Sequence, residues 1–351
     1  MMDIWILTNA PLSDNYWLYE KLENKKRTLG IRSVYKLQTK NKASEYRRYG
    51  KLGWIMVQVL QIKLAITCII RSKKDDIIIT ESYPTGRHCA ILCTIFKQQR
   101  SILALNCLQR KKSKMVKFVD NVADYLTWRN PKFVTSVNVS SAIEKLTIPM
   151  NVKKNRHIYV IPDTYIDNVE LFSNIPSNKK IYDGMTGGYA NRDYSLFFEV
   201  AKENKNMKYA CVVGSSFKKY AYEIPDNVVL YRDISEKQFA QIMSMSKCIL
   251  LPLLDDSVAG LVVLKYAIAN EQPFVISNTE AVCNYIPKEI RRYVTADIGN
   301  AEAFYKQFIR LHKISDNWNK QAKIIKNYAK KWSPENKISM IIDILYKEKF
   351  L

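Results

Sequence analysis

Residues 250–277, LLPLLDDSVAGLVVLKYAIANEQPFVIS, decide the fold class. An apolar run ends at Asp255 and Asp256, a loop of small residues follows, and a helical pattern leads into a second apolar run. Short apolar runs joined by a helix are typical of a strand–helix–strand crossover between parallel strands. Because ligands of open parallel sheets bind beyond the carboxyl ends of the strands, this loop is a candidate binding element.

The same alternation covers the whole chain and predicts two α/β domains. A chain of 351 residues with 47% hydrophobic composition is too long for one ordinary core. Apolar runs such as IWILT (4–8) and DIIIT (76–80) alternate with helical segments, and the pattern restarts at KIYDGM (180–185) after the polar stretch 163–180. We predict domains over 1–165 and 166–333.

The end of the chain predicts one more helix, over residues 334–351. Pro334 suits the first helical position and Glu335 the first turn, where a carboxylate complements the helix dipole. An apolar stripe follows at helical spacing, formed by Ile338, Ile341, Ile342 and Leu345. This helix should dock on a core.

Cysteine and histidine usage argues against a disulfide framework and a built-in metal site. The seven cysteines lie mostly in apolar segments without CxxC spacing, and the three histidines are far apart. Asp3 interrupts the N-terminus, and the following residues are typical of a strand, so we expect no signal peptide. The sequence therefore predicts a chain in a reducing, cytosolic environment.

The net charge of +22 is concentrated in the first half of the chain. Residues 1–165 hold 29 Lys and Arg against 12 Asp and Glu, whereas residues 166–351 hold 26 against 21. This asymmetry predicts that the first domain faces an anionic partner. Anionic lipid headgroups and nucleic acid both meet that condition.

The most apolar segment is WIMVQVLQIKLAITCIIR (54–71), which Gln58, Gln61, Lys63 and Thr67 interrupt. These polar residues argue against a membrane-spanning helix. The segment predicts a domain helix with a wide buried face, and partial insertion into a membrane surface is the alternative.

Three loops of the second half follow predicted strands and suit phosphate. Glycines permit close backbone approach, cations follow them, and a helix N-terminus offers free N–H groups. The residues are Gly187, Gly188 and Arg192 in TGGYANRDY (186–194), Gly214, Lys218 and Lys219 in VVGSSFKK (212–219), and Ala259, Gly260 and Leu261. Neither GxxxxGK[ST] nor GxGxxG after the first strand is present, which disfavours a P-loop ATPase and an NAD enzyme.

Two stretches resemble the sugar-donor domain of GT-B-fold glycosyltransferases. They are TGGYANRDYSLFFEVAKENKNMKYACVVG (186–214) and ILLPLLDDSVAGLVVLKYAIANEQPFVISNTEAVCNYI (249–286). The likeness is to the group-one class, also called glycosyltransferase family four, and especially to its bacterial surface-polysaccharide members. It covers about residues 160–340, and the first 160 residues carry much less of it.

The resemblance implies two Rossmann-like domains facing across a cleft, with the final helix, 334–351, crossing back to the N-terminal domain. The acceptor would bind to 1–165 and the nucleotide-sugar to 166–333, without a metal ion or other cofactor. Basic side chains and backbone N–H groups would stabilise the leaving diphosphate, and the candidates are Arg192, Lys218 and Lys219.

The loop departs from the family at two positions. Many members place two glutamates eight positions apart, one for the sugar and one for the ribose hydroxyls. Ser257 and Lys265 stand at those places. The sugar contact is then expected from Asp256, one residue earlier, and Lys265 either pairs with phosphate or is an exposed helix residue.

In the acceptor half, Glu81 and His88 bracket the loop after DIIIT (76–80). A carboxylate or an imidazole at this place suits a general base for an acceptor hydroxyl. Asn9 and Asp14 follow the first strand and are weaker candidates for the acceptor cleft.

These observations predict a hexosyltransferase that uses a nucleotide-sugar and a lipid-linked or polysaccharide acceptor in surface polysaccharide biosynthesis. The basic first domain predicts peripheral attachment to the anionic inner face of the cell membrane, from the cytoplasm. Three alternatives stay open: an epimerase or other GT-B relative without an acceptor, a nucleic-acid-binding protein, and a degenerate, non-catalytic partner of another transferase. Nucleic acid explains the charge but not the three loops, so it is not an expected partner.

Overall fold

The chain folds into two compact α/β units. The computed structural model describes residues 2–8, 16–39, 50–107, 114–144, 157–166, 180–188, 191–214, 217–256, 260–313 and 318–351. Unit 1 comprises Met1–Asp163 and Pro334–Leu351, and unit 2 comprises Thr164–Ser333. The break lies close to the predicted boundary after residue 165, and residues 167–179 of the polar stretch lie outside the described residues.

Within the described residues, unit 1 contains a parallel sheet of six strands in the order β2-β1-β3-β4-β5-β6. The strands are β1 (Asp3–Thr8), β2 (Ser33–Gln38), β3 (Ile77–Thr80), β4 (Ser101–Ala104), β5 (Phe133–Val137) and β6 (Ile158–Val160). The helices between them are α1 (Tyr16–Lys25), α2 (Gly50–Arg71), α3 (Tyr83–Ile95), α4 (Lys114–Thr127) and α5 (Ser141–Glu144). Every residue of β1 and β3 is buried, which explains their continuous apolar runs.

Helix α3 lies very close to the sheet because Gly86 has no side chain. A Cβ added at Gly86 would lie 2.4 Å from the Cβ of Ala104 and 2.7 Å from the Oγ1 of Thr80. Both neighbours belong to central strands, β4 and β3. The glycine therefore sets the distance between the helix and the sheet.

Unit 2 repeats the architecture with the strand order β12-β11-β10-β7-β8-β9, again within the described residues. The strands are β7 (Tyr182–Gly187), β8 (Tyr209–Val213), β9 (Val228–Arg232), β10 (Ser246–Leu251), β11 (Phe274–Ser277) and β12 (Thr295–Ala296). The helices are α6 (Tyr194–Lys202), α7 (Glu236–Ser244), α8 (Leu261–Ala269), α9 (Glu280–Cys283), α10 (Lys288–Val294), α11 (Ala301–Lys313) and α12 (Asn319–Ala329). The predicted crossover between β10 and β11 through α8 is confirmed, since these strands pair in parallel.

The final helix, α13 (Pro334–Lys347), belongs to unit 1, as the resemblance implied. The predicted stripe of Ile338, Ile341, Ile342 and Leu345 joins a core cluster that contains Ile4 of β1 and Leu18 of α1. The helix therefore docks through the face that its periodicity indicated.

The prediction of a wide buried face for the segment 54–71 is wrong. Only 33% of the apolar window Leu52–Arg71 of α2 is buried, because the helix covers the sheet with a narrow face. Leu64, Ala65 and Cys68 form that face and pack against β1, β3 and α3.

Candidate functional site

The strand order of unit 2 reverses between β7 and β10. These strands are neighbours, while their successors β8 and β11 lie on opposite sides of them. At such a reversal the loops from the two carboxyl ends diverge and leave a crevice, which is where open parallel sheets bind ligands. β7 ends at Gly187 and β10 at Leu251, so two of the three predicted phosphate loops meet here.

Hydrogen bonds tie the two loops together. Arg192 and Leu253 form an isolated antiparallel bridge. The side chain of Asn191 donates from Nδ2 to the carbonyl of Asp255 at 3.0 Å, and its Oδ1 accepts from the Asp255 N–H at 3.1 Å. The backbone of Asn191 lies in the left-handed region, with φ of 54°. This residue therefore holds the turn that delivers the next side chain, Arg192.

Arg192 has a buried guanidinium with an unsatisfied nitrogen. Its side chain is 5% exposed, and Nε donates to the carbonyl of Gly187 at 2.8 Å. Nη1 is buried and has no hydrogen-bond partner among the described residues. A buried guanidinium normally has all its donors paired, because an unpaired buried charge is costly. The unsatisfied nitrogen therefore indicates an anionic ligand.

Two glycines make room for this guanidinium. A Cβ at Gly260 would lie 2.8 Å from Nη1 of Arg192, and a Cβ at Gly188 would lie 2.9 Å from Nη2. Both glycines have left-handed φ values, 93° and 140°. Gly260 also starts α8, whose free N–H groups favour negative charge. Arg192 and the start of α8 thus form one electropositive wall.

Burial lowers the pKa of the Arg192 guanidinium from 12.5 to about 10, an effect that nearby Tyr194 partly opposes. The group stays cationic at neutral pH. The shift corresponds to a cost of about 3 kcal/mol for holding the charge in the apolar interior. A bound anion would offset this cost, so the free protein is poised to bind one.

A cavity of about 260 Å³ opens beside Arg192. Tyr194 shapes its floor by donating from its hydroxyl to the carbonyl of Gly188 at 2.7 Å. Phe217 and Tyr222 lie stacked in its wall, with ring centroids 5.1 Å apart and planes at 4°. The complete lining is Gly188, Asn191, Arg192, Tyr194, Gly214, Phe217, Lys218, Ala221, Tyr222 and Leu254. An arginine, a lysine and stacked aromatic rings match the phosphates and the flat base of a nucleotide.

The third predicted loop, after β8, contributes Gly214 and Lys218 to this cavity. Lys218 is exposed, so its ammonium is free to follow a ligand. Lys219 begins a short 3₁₀ turn, Lys219–Ala221, and its side chain lies outside what the structure describes. Residues from all three predicted loops therefore line or border one site.

Asp256 lies in the loop after β10, exposed, with Oδ1 accepting from the Glu280 N–H at 3.2 Å. This bond ties the loop to the start of α9. Leu261 is buried in the first turn of α8, so its side chain packs in the interior of unit 2. Ser257 and Ala259 lie outside the described residues. Asp256 does not line the cavity beside Arg192, and its contact with the sugar stays a prediction.

Lys265 has a protein partner already. Its ammonium donates to the backbone carbonyl of Thr164 at 3.0 Å, which holds α8 against the first residue of unit 2. The residue is half-buried rather than exposed. The contact of Lys265 with Thr164 is a structural role within unit 2.

In unit 1 the corresponding reversal lies between β1 and β3. Glu81 follows β3 directly, and its N–H donates to the carbonyl of Leu7 at 3.1 Å. Asn106 fixes the same turn by donating from Nδ2 to the Glu81 carbonyl at 3.1 Å. Glu81 is therefore at the ligand-binding edge of its sheet. Asn9 and Asp14 lie outside the described residues.

His88 lies within α3, away from that turn. Its Nε2 is 3.3 Å from the Oε1 of Gln58 on α2, which is a helix-to-helix contact. Burial, and then the neighbouring Arg87, lower its pKa to about 4. An imidazole with this pKa is a weak base at neutral pH, so its geometry and basicity favour a packing role over general-base catalysis.

Asn191, Tyr194, Phe217 and Tyr222 belong to the site and were missed from the sequence. Asn191 and Tyr194 flank Arg192 in the quoted loop, so proximity to the arginine was an available signal. The stacking of Phe217 on Tyr222 depends on the 3₁₀ turn between them. A turn of three residues is too short for the spacing of apolar residues to predict it. Groups of three or more His, Cys, Asp or Glu side chains suited to a metal ion are absent from the described ranges.

We predict that Gly260→Ala weakens binding of a nucleoside diphosphate by about tenfold, because the new methyl group displaces the guanidinium of Arg192. The left-handed φ of 93° also costs about 1–2 kcal/mol of stability for alanine. Gly299→Ala is the matched control, since Gly299 has φ of 75° and nothing within 4 Å of an added Cβ. Gly260→Ala should lose at least as much stability in urea denaturation as Gly299→Ala, and calorimetry should find weaker binding of a nucleoside diphosphate for Gly260→Ala alone. Equal affinities would contradict the assignment.

Comparison with known proteins gives structural matches only. No known family profile matches the sequence, and no curated protein matches it significantly. Solved structures do match over nearly the full chain. A UDP-forming α,α-trehalose-phosphate synthase from Burkholderia xenovorans has a TM-score of 0.68 at 9% identity, over 99% of this chain and 100% of that one.

Two further solved structures also match over nearly the full length of both chains. Anabaena HepE in complex with UDP has a TM-score of 0.65 at 11% identity, over 99% of this chain and 100% of that one. A glycosyltransferase from Rickettsia africae has a TM-score of 0.61 at 12% identity, over 99% and 98%. At these identities the likeness establishes the fold alone. The predicted GT-B fold is confirmed.

Proposed function

We propose that this protein is a glycosyltransferase that uses a nucleotide-sugar. The observation that carries the proposal is the buried guanidinium of Arg192, with Nη1 unsatisfied among the described residues, beside a cavity at the strand reversal of unit 2. Arg192 and Lys218 supply positive charge, and Gly188 and Gly260 allow close approach. A diphosphate between a helix start and two cations is the ligand that this arrangement fits best.

The same features suit the chemistry of sugar transfer. The bond between the sugar's anomeric carbon and the phosphate oxygen breaks, and the nucleoside diphosphate leaves with an additional negative charge. The acceptor hydroxyl forms the new bond and gives up its proton. Arg192 would stabilise the negative charge that develops on the leaving diphosphate. Because its guanidinium is already in place, no rearrangement is needed in the transition state, and such preorganised groups lower the barrier most.

Two structural neighbours support the choice of nucleotide. The Burkholderia synthase is UDP-forming, and HepE was solved with UDP. The flat, stacked rings of Phe217 and Tyr222 lie in the wall of the same cavity as Arg192. UDP is therefore the first nucleotide to test, with GDP and ADP as comparisons.

The acceptor we propose is a lipid-linked or polysaccharide glycan in surface polysaccharide biosynthesis, met at the cytoplasmic face of the cell membrane. The support is the positive charge of residues 1–165 and the family resemblance of the sequence. Glu81 is the candidate general base, because it lies at the ligand-binding edge of unit 1 and His88 is bonded to Gln58. Asp256 is the candidate contact for the transferred sugar.

A second candidate function is nucleotide binding without transfer. Ser257 and Lys265 stand where many relatives have glutamates, and Lys265 donates to the carbonyl of Thr164. A degenerate partner of an active transferase would keep the Arg192 site and lose turnover. Binding and turnover therefore have to be measured separately.

The test begins with calorimetric titration of UDP, GDP, ADP, UMP and uridine into folded protein. We expect one nucleoside diphosphate to bind at least about tenfold more tightly than its nucleoside, because the phosphates contact Arg192 and Lys218. Binding of no diphosphate would contradict the proposed site.

A screen of nucleotide-sugars, read by release of the nucleoside diphosphate, then tests transfer. We expect release from one donor to depend on added glycan acceptor and to be unchanged by EDTA, because the proposed course needs no metal ion. Diphosphate binding without release would favour the non-catalytic partner. Conversion of the sugar without an acceptor would favour an epimerase.

A further inference from the structure

Helix α2 has two apolar faces, and among the described residues only one of these faces is covered. Leu64, Ala65, Cys68 and Ile69 are buried in the core of unit 1. The opposite face exposes large apolar side chains along five turns of helix. They are Leu52, Ile55, Met56, Val59, Ile62, Ile66 and Ile70, the last with 77% of its surface exposed.

These side chains form one continuous stripe rather than scattered exposures. Six of them recur at intervals of three or four residues, which is the spacing of one helix face. The neighbouring helix α3 packs beside α2 and ends with exposed Ile95 and Phe96. Single exposed apolar residues are ordinary, but a contiguous apolar surface of this size marks an interaction site.

The charge around the stripe has one sign. Residues 50–74 contain no Asp or Glu. Lys63, Arg71, Lys73 and Lys74 are all exposed on or just after the helix. Unit 1 as a whole holds 32 Lys and Arg against 15 Asp and Glu, a net charge of +17. The partner of this surface therefore has an apolar interior and an anionic boundary.

Crossing a bilayer would break the contacts that hold α2 in unit 1. By length and composition Leu52–Arg71 is long and apolar enough to do so, with a mean hydropathy of 1.8. Its end, however, is held by Arg100, which donates to the carbonyl of Ser72 at 2.7 Å and to that of Ile69 at 3.1 Å. Extracting α2 would unpair this arginine and open the core formed by Leu64 and Cys68.

We propose that the outer face of α2 inserts into the boundary between headgroups and acyl chains of an anionic membrane, with the helix lying parallel to its plane. An apolar helix face flanked by lysine and arginine is the pattern of interfacial helices. A second copy of the chain fits less well, because a two-fold contact would bring two basic surfaces together. Nucleic acid would leave the apolar stripe in water.

Flotation with lipid vesicles tests this proposal without any nucleotide, so its outcome is separate from that of the proposed function. Vesicles of phosphatidylcholine alone are compared with vesicles that also contain phosphatidylglycerol. The test variant is Ile62→Gln/Ile66→Gln, whose positions are exposed on the stripe, and the control is Ile298→Gln/Ile324→Gln, equally solvent-facing positions of unit 2.

We expect the natural protein and the control to float with phosphatidylglycerol vesicles, and the test variant to bind them at least roughly tenfold more weakly. Lys63→Gln/Lys73→Gln/Lys74→Gln should lose binding to the anionic vesicles, and salt should weaken it. Circular dichroism checks that each variant is folded. Undiminished flotation of the Ile62/Ile66 variant would overturn the proposal. So would a dimer that this variant dissociates, or salt-sensitive binding to duplex DNA without flotation.

Discussion

Replacing Arg192 with methionine is expected to abolish detectable binding of UDP and to reduce any transfer rate by about 100-fold or more. The guanidinium is the buried cation at the strand reversal of unit 2, and loss of one preorganised group that stabilises developing charge has effects of this size. Isothermal titration and donor turnover measure the two losses separately. Arg192→Lys keeps the positive charge but lacks the planar set of N–H donors that can bind two phosphate oxygens at once. It should therefore bind UDP more tightly than Arg192→Met and more weakly than the natural protein.

The same substitution should stabilise the free protein by about 1–2 kcal/mol in urea denaturation. Methionine removes a buried charge that costs about 3 kcal/mol and loses one hydrogen bond, to the carbonyl of Gly187, worth about 1.5 kcal/mol. Stability gained together with binding lost is the signature of a binding group.

Arg100→Met is the matched control for this prediction. Arg100 is also buried, but its guanidinium donates to Ser72, Lys73, Ile69 and Gln98. Methionine there leaves buried carbonyls unpaired, and the loss should be about 3–5 kcal/mol. Opposite signs at two buried arginines would separate a binding residue from a structural one. Destabilisation of similar size at both positions would show that Arg192 is structural.

The second large effect is expected at Gly86. Gly86→Ala should destabilise unit 1 by about 3 kcal/mol, because its Cβ would lie 2.4 Å from the Cβ of Ala104 and 2.7 Å from the Oγ1 of Thr80. α3 has to move away from the sheet to relieve this contact. Chemical denaturation followed by circular dichroism measures the loss.

A double-mutant cycle tests the cause. Ala104→Gly removes the nearer contact, so Gly86→Ala/Ala104→Gly should be more stable than the sum of the single effects by at least about 1 kcal/mol. The residual loss reflects the Thr80 contact and the weaker strand propensity of glycine. Additive effects would mean that α3 already tolerates the methyl group at its present distance from the sheet.

The strongest predictions from the sequence concerned segments whose apolar pattern matches their burial. β1, β3 and the pair β10–β11 have continuous apolar runs because they are central strands, buried on both faces. α13 was predicted with its docking face because one side of the helix is apolar. In contrast, no element was predicted between residues 278 and 333. β12 has two residues and α9 has four, which is too short for any period to show. α11 and α12 are long enough, and their buried residues recur at helical spacing, as Phe304, Phe308 and Leu311 do in α11, so the period of these two helices was available in the sequence and was missed.

A helix was predicted over 54–71, and α2 begins four residues earlier, at Gly50; the side that it buries was not predicted. Periodicity distinguishes apolar from polar faces, and α2 is apolar on nearly all of its circumference. Only packing against β1, β3 and α3 reveals which apolar residues are covered. The exposed stripe from Leu52 to Ile70 therefore became visible only in the folded unit.

By itself, the sequence determined the strand–helix–strand order, the glycines at the strand ends and the presence of cations beside them. These are local properties, since each depends on residues within one turn or one crossover. The tertiary structure decided which cation is buried. Arg192 and Lys218 look alike in sequence, yet one is enclosed between Gly188 and Gly260 and the other is exposed. That difference arises because β7 and β10, distant in the chain, are neighbours in the sheet and bring Leu253 and Gly260 against Arg192.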